Sequence, residues 1–403
     1  MGGVGVGIFL IPALTLISLP MFIRLGKNAS YDLGGLAATG LMLRFLASFY
    51  RFDHAADGGV YTQKGGELAQ SFRHFNFGVD TGGSFPGTGG MRFIAGIVAT
   101  LTNTSAFAEF LVFTWLGFVG CYLLYRAFVI AMPTGDHRRY ALLIFLWPTL
   151  VFWPSSVGKD CWMLFTLGIG ALGAARVLAR RPGGYTLLAV GLLLGSVVRP
   201  HIALMELLAF GFALLIGRQV QSRPGSLTPG SVAKVAGLVV LVVLGGILVN
   251  RTGDLLSSND INASVDSALA TNTNRTEQGG SQFSPANPRQ PVGYAIAAVT
   301  IIVRPFPFEA HQIDQFGVAL EGLGLLVLAA VSWRRLLTIP RRLRSDPYVA
   351  MALVYILMFI FALGTVGNFG IVSRQRAQVM PFVFVLLSVP AIVPAWKAER
   401  DTA

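Results

Sequence analysis

The first segment with the residue types of an active site follows the second apolar run of the chain. It contains Asp53, His54, Asp57 and Tyr61 in close succession. If the preceding helix continues through this segment, Asp53 and Asp57 are four residues apart and share one of its faces. Two carboxylates so placed could act as a general base and its orienting partner, or could hold a divalent cation such as Mg²⁺ or Mn²⁺. The alternative is a helix end whose acids are merely solvated.

A second candidate site is the tight hairpin 153–160, which ends in Lys159 and Asp160. Ser155 or Ser156 could cap the helix that follows. A helix N-terminus that carries a lysine beside free backbone N–H groups is suited to binding phosphate. The alternative is that Lys159 and Asp160 form a pair with only a structural role in the turn.

Three further groups of charged residues follow apolar runs, near positions 199, 304 and 374. Each arginine, taken singly, is more typical of an anchor to lipid headgroups. Taken together, these groups would line one pocket, suited to a substrate with an anionic headgroup and a reacting hydroxyl. No metal ligands are predicted, because the histidines lack metal-site spacing. The candidate catalytic residues are Asp53 and Asp57, and the candidate substrate-binding residues are His54, Tyr61, Lys159, Asp160, Arg199, His201, Arg304, Glu309, His311, Asn368, Arg374 and Arg376.

The composition shows what must position these residues. Of 403 residues, 54% are hydrophobic and only 12% are charged, which is about half the charged fraction of an average soluble protein. We therefore predict an all-α polytopic membrane protein that forms a single integral membrane domain, 1–403. Eleven apolar runs are predicted to span the membrane: 4–24, 34–50, 106–131, 140–155, 161–178, 184–198, 202–217, 232–250, 315–333, 347–366 and 377–396.

Two apolar stretches, 91–102 and 292–303, are too short to cross about 30 Å of hydrocarbon. They predict half-membrane or interfacial helices within two external loops, 51–105 and 251–314. If they do not cross, every cluster of arginines falls on one side of the membrane. By the positive-inside rule that side is the cytoplasm, which puts the N-terminus outside and the C-terminus inside. The net charge of +12 is then an orientation signal and does not indicate a nucleic-acid partner.

Several motifs together resemble those of a known class of membrane enzymes. They are the Asp-x-x-x-Tyr pattern at 57–61, the Gly-Thr-Gly at 87–89, the hairpin 155–160, the Arg-Pro-Phe-Pro-Phe-Glu at 304–309 and the loop 368–376. This combination is similar to GT-C-type glycosyltransferases and to O-antigen-polymerase-like proteins associated with bacterial polysaccharide synthesis. The chain differs from GT-C enzymes in having a span before the aspartate segment and two separated aspartates in place of an adjacent acidic pair.

The resemblance implies an enzyme of the cell envelope, in the plasma membrane, that uses a polyprenyl-phosphate or polyprenyl-diphosphate sugar on the external face. It implies an aspartate, Asp53 or Asp57, as general base on the hydroxyl of a glycan or lipid acceptor. It also implies basic residues for the phosphate, namely Lys159, Arg304, Arg374 or Arg376. Polysaccharide-assembly proteins would be its partners, together with membrane lipids.

Two other functions remain open from the sequence. A transporter or flippase of a polysaccharide precursor needs polar groups near the membrane midplane, and Arg44, Glu109, Glu206 and Glu321 lie within apolar runs. A structural subunit of an envelope assembly would use the external loops to bind a partner.

Overall fold

Helices account for nearly all of the regular structure in this protein. The computed structural model describes residues 2–27, 32–54, 56–216, 246, 282–310 and 313–390. Within these ranges, the β-structure consists of one isolated bridge between Gln282 and Asn368. The α-helices are α1 (Gly2–Lys27), α2 (Leu33–His54), α3 (Ala56–Phe72), α4 (Thr88–Leu101), α5 (Ala106–Ala131), α6 (His137–Leu146), α7 (Pro148–Phe152), α8 (Lys159–Leu178), α9 (Gly184–Ser196), α10 (Pro200–Ile216), α11 (Pro291–Ile302), α12 (Ile313–Val331), α13 (Trp333–Leu336), α14 (Ile339–Arg342), α15 (Pro347–Leu363), α16 (Phe369–Arg376) and α17 (Met380–Leu387), with a 3₁₀ turn at Pro307–Glu309.

In the part of the chain that the structure describes, four helices are long and apolar enough to cross a membrane, namely Phe9–Lys27, Leu33–His54, Ala106–Ala131 and Lys159–Leu178. The segments Gln315–Val331 and Trp333–Arg342 would add a fifth span if this pair, which is bent by 67°, counts as one. The all-helical class is therefore confirmed, and the long apolar helices are those of a membrane protein. Each predicted apolar run within the described residues contains a helix, but α9, α10, α15 and α17 are shorter than a membrane span. The whole segment 251–281, the run 232–250 apart from residue 246, and the end of the run 377–396 from residue 391 lie outside the described residues.

The two short stretches predicted as half-membrane helices are α4 and α11. They contain 14 and 12 residues. At 1.5 Å per residue, helices of this length reach only about 20 Å, which is less than the hydrocarbon thickness. Both agree with the prediction of short helices at these positions.

The predicted run 140–155 is broken at Pro148 into α6 and α7. A proline has no backbone N–H, so the carbonyl of Ile144 loses its helical hydrogen-bond donor. Arg44, fully buried in α2, donates to Ile144 O at 3.3 Å and to Phe145 O at 2.7 Å. Arg44 therefore completes the hydrogen bonds of a broken helix, which gives this buried charge a structural role.

Helices α5 and α8 pack closely because glycines face each other. A Cβ atom at Gly168 would lie 2.5 Å from the Gly120 carbonyl oxygen, and one at Gly120 would lie 2.5 Å from Leu164 O. Small residues permit this approach of two helix backbones in membrane proteins.

Replacing Gly168 with leucine is expected to destabilise the protein, by roughly 1–3 kcal/mol or more, because the side chain must push α5 away. The midpoint of thermal unfolding in detergent measures the effect. Gly211→Leu is the matched control, since a Cβ at Gly211 has no atom within 4 Å. Equal midpoints for the two variants would contradict the packing argument.

The helix bundle has a basic end. Arg335 bonds to Asp136 at 2.8 Å and to Val389 O at 2.7 Å, and Arg342 donates to Pro390 O at 3.5 Å. The segments 132–137 and 332–346 and the residues that follow α17 therefore meet. Helix α8 has Arg176 in its last turn and Lys159 at its start, about 25 Å apart along its axis.

Candidate functional site

Asp160 is the centre of a cluster of charges at the start of α8. Asp160 is only 3% exposed. Arg374, in the last turn of α16, donates from Nε to Asp160 at 3.1 Å, and Arg199 donates from Nη2 to the other oxygen at 3.4 Å. Arg199, just before α10, and Arg374, near the end of α16, thus bind the same buried carboxylate. We call Arg51, Asp57, Lys159, Asp160, Arg199 and Arg374 the Asp160 cluster.

Arg374 joins the buried acid to an exposed one. Its Nη1 lies 2.5 Å from Asp57, in the first turn of α3. The Asp57 side chain is 59% exposed, whereas that of Asp160 is 4% exposed. The charge of Asp160 raises the pKa of Arg374 against the opposing effect of burial, and the hydrogen bond to Asp57 adds to the increase. Asp160 therefore holds the cluster together, and Asp57 is the carboxylate accessible to a substrate.

Arg51 is a member of the cluster that the sequence analysis missed as a candidate. It is buried, its guanidinium lies 4.9 Å from the ring of Phe152 and 5.1 Å from that of Trp153, and it donates to Ser156 Oγ at 3.0 Å. Its charge also acts on Asp160. No pattern in the sequence pairs Arg51 with Phe152 and Trp153, which are about 100 positions further along the chain, although an arginine is attracted to aromatic faces once the fold brings them together.

The N-terminal ends of three helices meet beside the cluster. Lys159 donates to Oγ1 of Thr88, the first residue of α4, at 3.0 Å. The N–H of Gly87 donates to Val197 O at 3.0 Å, and a Cβ at Gly90 would lie 2.2 Å from that oxygen. Helix α4 therefore begins against the turn that carries Arg199 into α10. Helix N-termini present free N–H groups and a partial positive charge, which favour anions.

The charges of the cluster do not cancel. The cluster contains four cations, Arg51, Lys159, Arg199 and Arg374. Its two carboxylates are Asp57 and Asp160, so its net charge is +2. Lys159 forms no ion pair in the described part of the chain. Nη1 of Arg199 is buried without a hydrogen-bond partner there. A buried cationic donor without a partner is costly, so the site is suited to binding an anionic group.

A second cluster contains Arg304, Glu309 and Arg376. Arg304 binds Glu309 at 2.5 Å and lies 5.0 Å from the ring of Phe283 and 5.1 Å from that of Phe369. Burial alone would raise the pKa of Glu309, but hydrogen bonds from Arg304 and a backbone N–H lower it. Arg376 is buried and donates to the carbonyls of Ile301 and Arg304.

The single pocket predicted from the sequence is therefore two clusters. Arg374 and Arg376 are two residues apart on α16, and a helix turns by about 200° over two residues. Arg374 consequently binds Asp160, whereas Arg376 binds the backbone on the other side of the helix. Arg304 binds Glu309, and Arg376 binds the backbone at Ile301 and Arg304. Within the described residues, none of the three makes a hydrogen bond to the Asp160 cluster.

Four more of the predicted site residues are Tyr61, His201, Asn368 and His311. Tyr61 is buried next to the Asp160 cluster, and burial raises its pKa with a further increase from Asp57. His201 lies within electrostatic range of Lys159 and Arg199. Asn368 caps α16 by accepting from Ile371 N at 3.2 Å, and His311 lies outside the described residues.

Asp53 and His54 end α2. Asp53 is exposed, and His54 bonds to Tyr50 O at 2.8 Å and stacks on the ring of Tyr50. The structure describes α2 as far as His54 and α3 from Ala56, with residue 55 outside the described ranges, so a face shared by Asp53 and Asp57 stays a prediction. Of the two candidate bases, only Asp57 is bonded to the Asp160 cluster.

The carboxylates of the site are engaged by arginines. Among the residues that the structure describes, no three His, Cys, Asp or Glu side chains lie close enough together to hold a metal ion. Asp57 and Asp160 are linked through Arg374, an arrangement that favours an anionic ligand over a divalent cation. No protein-family model, curated protein or solved structure matches the chain.

Proposed function

We propose that the protein is a membrane glycosyltransferase or polysaccharide polymerase that uses a polyprenyl-phosphate or polyprenyl-diphosphate sugar. The observation that carries this proposal is the Asp160 cluster, in which an excess of cations and three helix N-termini lie beside one exposed carboxylate. The cations and helix N-termini would bind the anionic group of the substrate, and the exposed carboxylate would accept the proton of the reacting hydroxyl. The resemblance to GT-C-type and O-antigen-polymerase-like proteins agrees with this chemistry.

The proposed reaction assigns a role to each side of the cluster. Lys159, Arg199 and the N-terminus of α4 bind the phosphate of the donor. Asp57 accepts the proton of the acceptor hydroxyl, whose oxygen forms a bond to the anomeric carbon of the sugar. The bond from that carbon to the phosphate oxygen breaks, and the lipid phosphate leaves with the bonding electron pair. The cations stabilise the charge that develops on the leaving group.

We also propose eleven membrane crossings, with the N-terminus outside, the C-terminus inside and the Asp160 cluster at the external face of the plasma membrane. The contacts between Asp136, Arg335 and Val389 support this orientation, because they bring the arginine-rich loops to one end of the bundle. Gly117 and Gly120 of α5 lie against Cys161 and Leu164 of α8, so the two helices run in the same direction and the start of α8, where the cluster lies, is remote from the segment 132–137 that follows α5. Basic loops are typical of the cytoplasmic side.

Cysteine labelling in intact cells tests the orientation. Both native cysteines, Cys121 and Cys161, are buried, so a thiol reagent should report introduced residues. Ser84 and Ser345 are exposed, Ser84 in the loop before α4 and Ser345 beside the arginine-rich segment. We expect a membrane-impermeant maleimide to label Ser84→Cys in intact cells and Ser345→Cys only after permeabilisation. The reverse pattern would invert the proposed topology.

Single replacements test the function itself. With a lipid-linked sugar as donor, Lys159→Met is expected to raise the KM for the donor, by tenfold or more for the loss of about 1.4 kcal/mol or more of binding. Lys64→Met is the control, because Lys64 is on α3 and pairs with Glu67. Undiminished product formation in the Asp53, Asp57, Lys159 and Arg374 variants would overturn the proposal. Loss of precursor movement without loss of product formation would favour the transporter or flippase.

A further inference from the structure

A bent, arginine-rich segment follows α12. The axis of Trp333–Arg342 turns by 67° from that of Gln315–Val331. If α12 lies along the membrane normal, this bend brings the residues that follow it most of the way into the membrane plane. Five of the twelve residues from 333 to 344 are arginines. We call these twelve residues the 333–344 segment.

The inner face of this segment is bonded to neighbouring parts of the protein. Arg335 bonds to Asp136 at 2.8 Å. Arg342 bonds to Asp346 at 3.0 Å and to the hydroxyl of Thr338 at 3.1 Å. Thr338 is buried, and the spacing 335, 338, 342 puts these three side chains on one helical face. Two of the five arginines therefore have partners and hold the segment in place.

The outer face of the 333–344 segment carries the other three arginines. Arg334, Arg341 and Arg344 are exposed, and within the described residues none of them forms an ion pair. Trp333 is 54% exposed and Leu337 is 67% exposed. The N–H of Leu337 donates to Trp333 O at 3.0 Å, so these two side chains are one helical turn apart on the same face. The outer face thus combines exposed cations with exposed apolar side chains.

The apolar side chains of this face continue a stripe on α12. Leu320, Leu323, Val327 and Val331 are exposed and recur every three or four residues. On a helix that crosses a membrane, such a stripe faces the acyl chains of the lipids. Trp333 follows Val331 across the bend, so the outer face begins where the lipid-facing surface of α12 ends.

We propose that the outer face of the 333–344 segment is a docking surface for anionic membrane lipids. Trp333 and Leu337 enter the boundary between headgroups and acyl chains, where tryptophan is enriched in membrane proteins. Arg334, Arg341 and Arg344 bind the phosphates of the headgroups. A lipid with a negative headgroup and apolar chains complements both parts of the face. The inference does not depend on sugar transfer.

Quenching of a fluorescent label by brominated lipids tests this proposal. The label is attached to Leu337→Cys of the protein in lipid vesicles, since both native cysteines are buried. We expect phosphatidylglycerol with brominated acyl chains to quench the label with an apparent association constant about fivefold that of brominated phosphatidylcholine. This factor corresponds to about 1 kcal/mol, the preference of one basic residue near the membrane surface for anionic lipid. High salt should reduce the preference, because salt screens the charges.

Two triple variants separate charge from shape. Replacement of Arg334, Arg341 and Arg344 by glutamine should make the two brominated lipids quench almost equally, whereas replacement by lysine should keep the preference. All three side chains are exposed, so the substitutions are expected to change stability little. A label on Leu208→Cys is the control for position, because Leu208 is exposed on α10, a helix that contains no arginine. That label should show no preference.

The same measurements can overturn the proposal. A label on Leu337→Cys that aqueous iodide quenches and brominated lipids do not would place the 333–344 segment away from the membrane. Equal quenching by the two brominated lipids with the three arginines in place would show that the surface does not select charge. A preference that survives in the glutamine variant would refute the assigned role of the arginines.

Discussion

Replacing Asp160 with asparagine is expected to lower the free energy of unfolding by about 3–5 kcal/mol, the cost of breaking a buried ion pair by removing one partner. Asp160 is buried and accepts from Arg199 and Arg374, so the substitution leaves two arginines without their counter-ion. Arg51 would lose the same favourable charge. Titration with SDS in mixed micelles measures the change.

The control for this prediction is Asp346→Asn. Asp346 pairs with Arg342 at 3.0 Å with a partly exposed side chain, and such a pair contributes at most about 1 kcal/mol. If charge compensation is the cause, the double variant Asp160→Asn, Arg199→Gln should lose less free energy of unfolding than the sum of the losses in the two single variants. Equal unfolding of Asp160→Asn and the wild-type protein would refute the central role of Asp160.

The largest effect on activity is expected for Asp57→Asn. Asparagine keeps the shape of the side chain but cannot accept a proton from the acceptor hydroxyl. Removal of a general base lowers rates by about 10²- to 10⁴-fold. We therefore expect kcat to fall by this factor while the KM for the lipid-linked donor stays within a few-fold, because the phosphate ligands remain. Steady-state kinetics with a lipid-linked sugar provides both values.

Glu67→Gln is the matched control for Asp57→Asn. Both acids lie on α3, both pair with a cation and their side chains are 54% and 59% exposed. Glu67 is outside the Asp160 cluster, so its replacement should leave kcat unchanged. Activity lost in Asp53→Asn but kept in Asp57→Asn would assign the base to Asp53, and kcat unchanged in both would exclude an aspartate base.

Much of the helical framework could be predicted from the sequence, because an apolar run in a chain with few charges leaves helix as the main way to satisfy its backbone. The two short helices were likewise predicted from the length of their apolar stretches. The break at Pro148 was missed, since the run of apolar residues continues on both sides of the proline. The number of crossings depends on bends such as the 67° angle near Ser332, which hydropathy does not report.

The site could be predicted only in part. Lys159, Asp160, Arg199 and Arg374 stood out as charges at the ends of apolar runs, but no pattern in the sequence pairs residues that are 214 positions apart. Arg304 and Glu309 were assigned to the same pocket because they follow an apolar run on the predicted external face, although in the structure they lie in another cluster. The opposite directions of Arg374 and Arg376 follow from helical geometry once 369–376 is known to be a helix.

The contact of Arg44 with the broken helix also constrains how the gene can change. Loss of Arg44 alone would leave the carbonyls of Ile144 and Phe145 without this donor. Loss of Pro148 alone would restore a backbone N–H, so the hydrogen bond from Arg44 to Ile144 O would be less necessary. Diverging copies of the gene should therefore lose the proline before the arginine. An ancestral reconstruction in which the arginine disappears first would have to supply another donor at the same step.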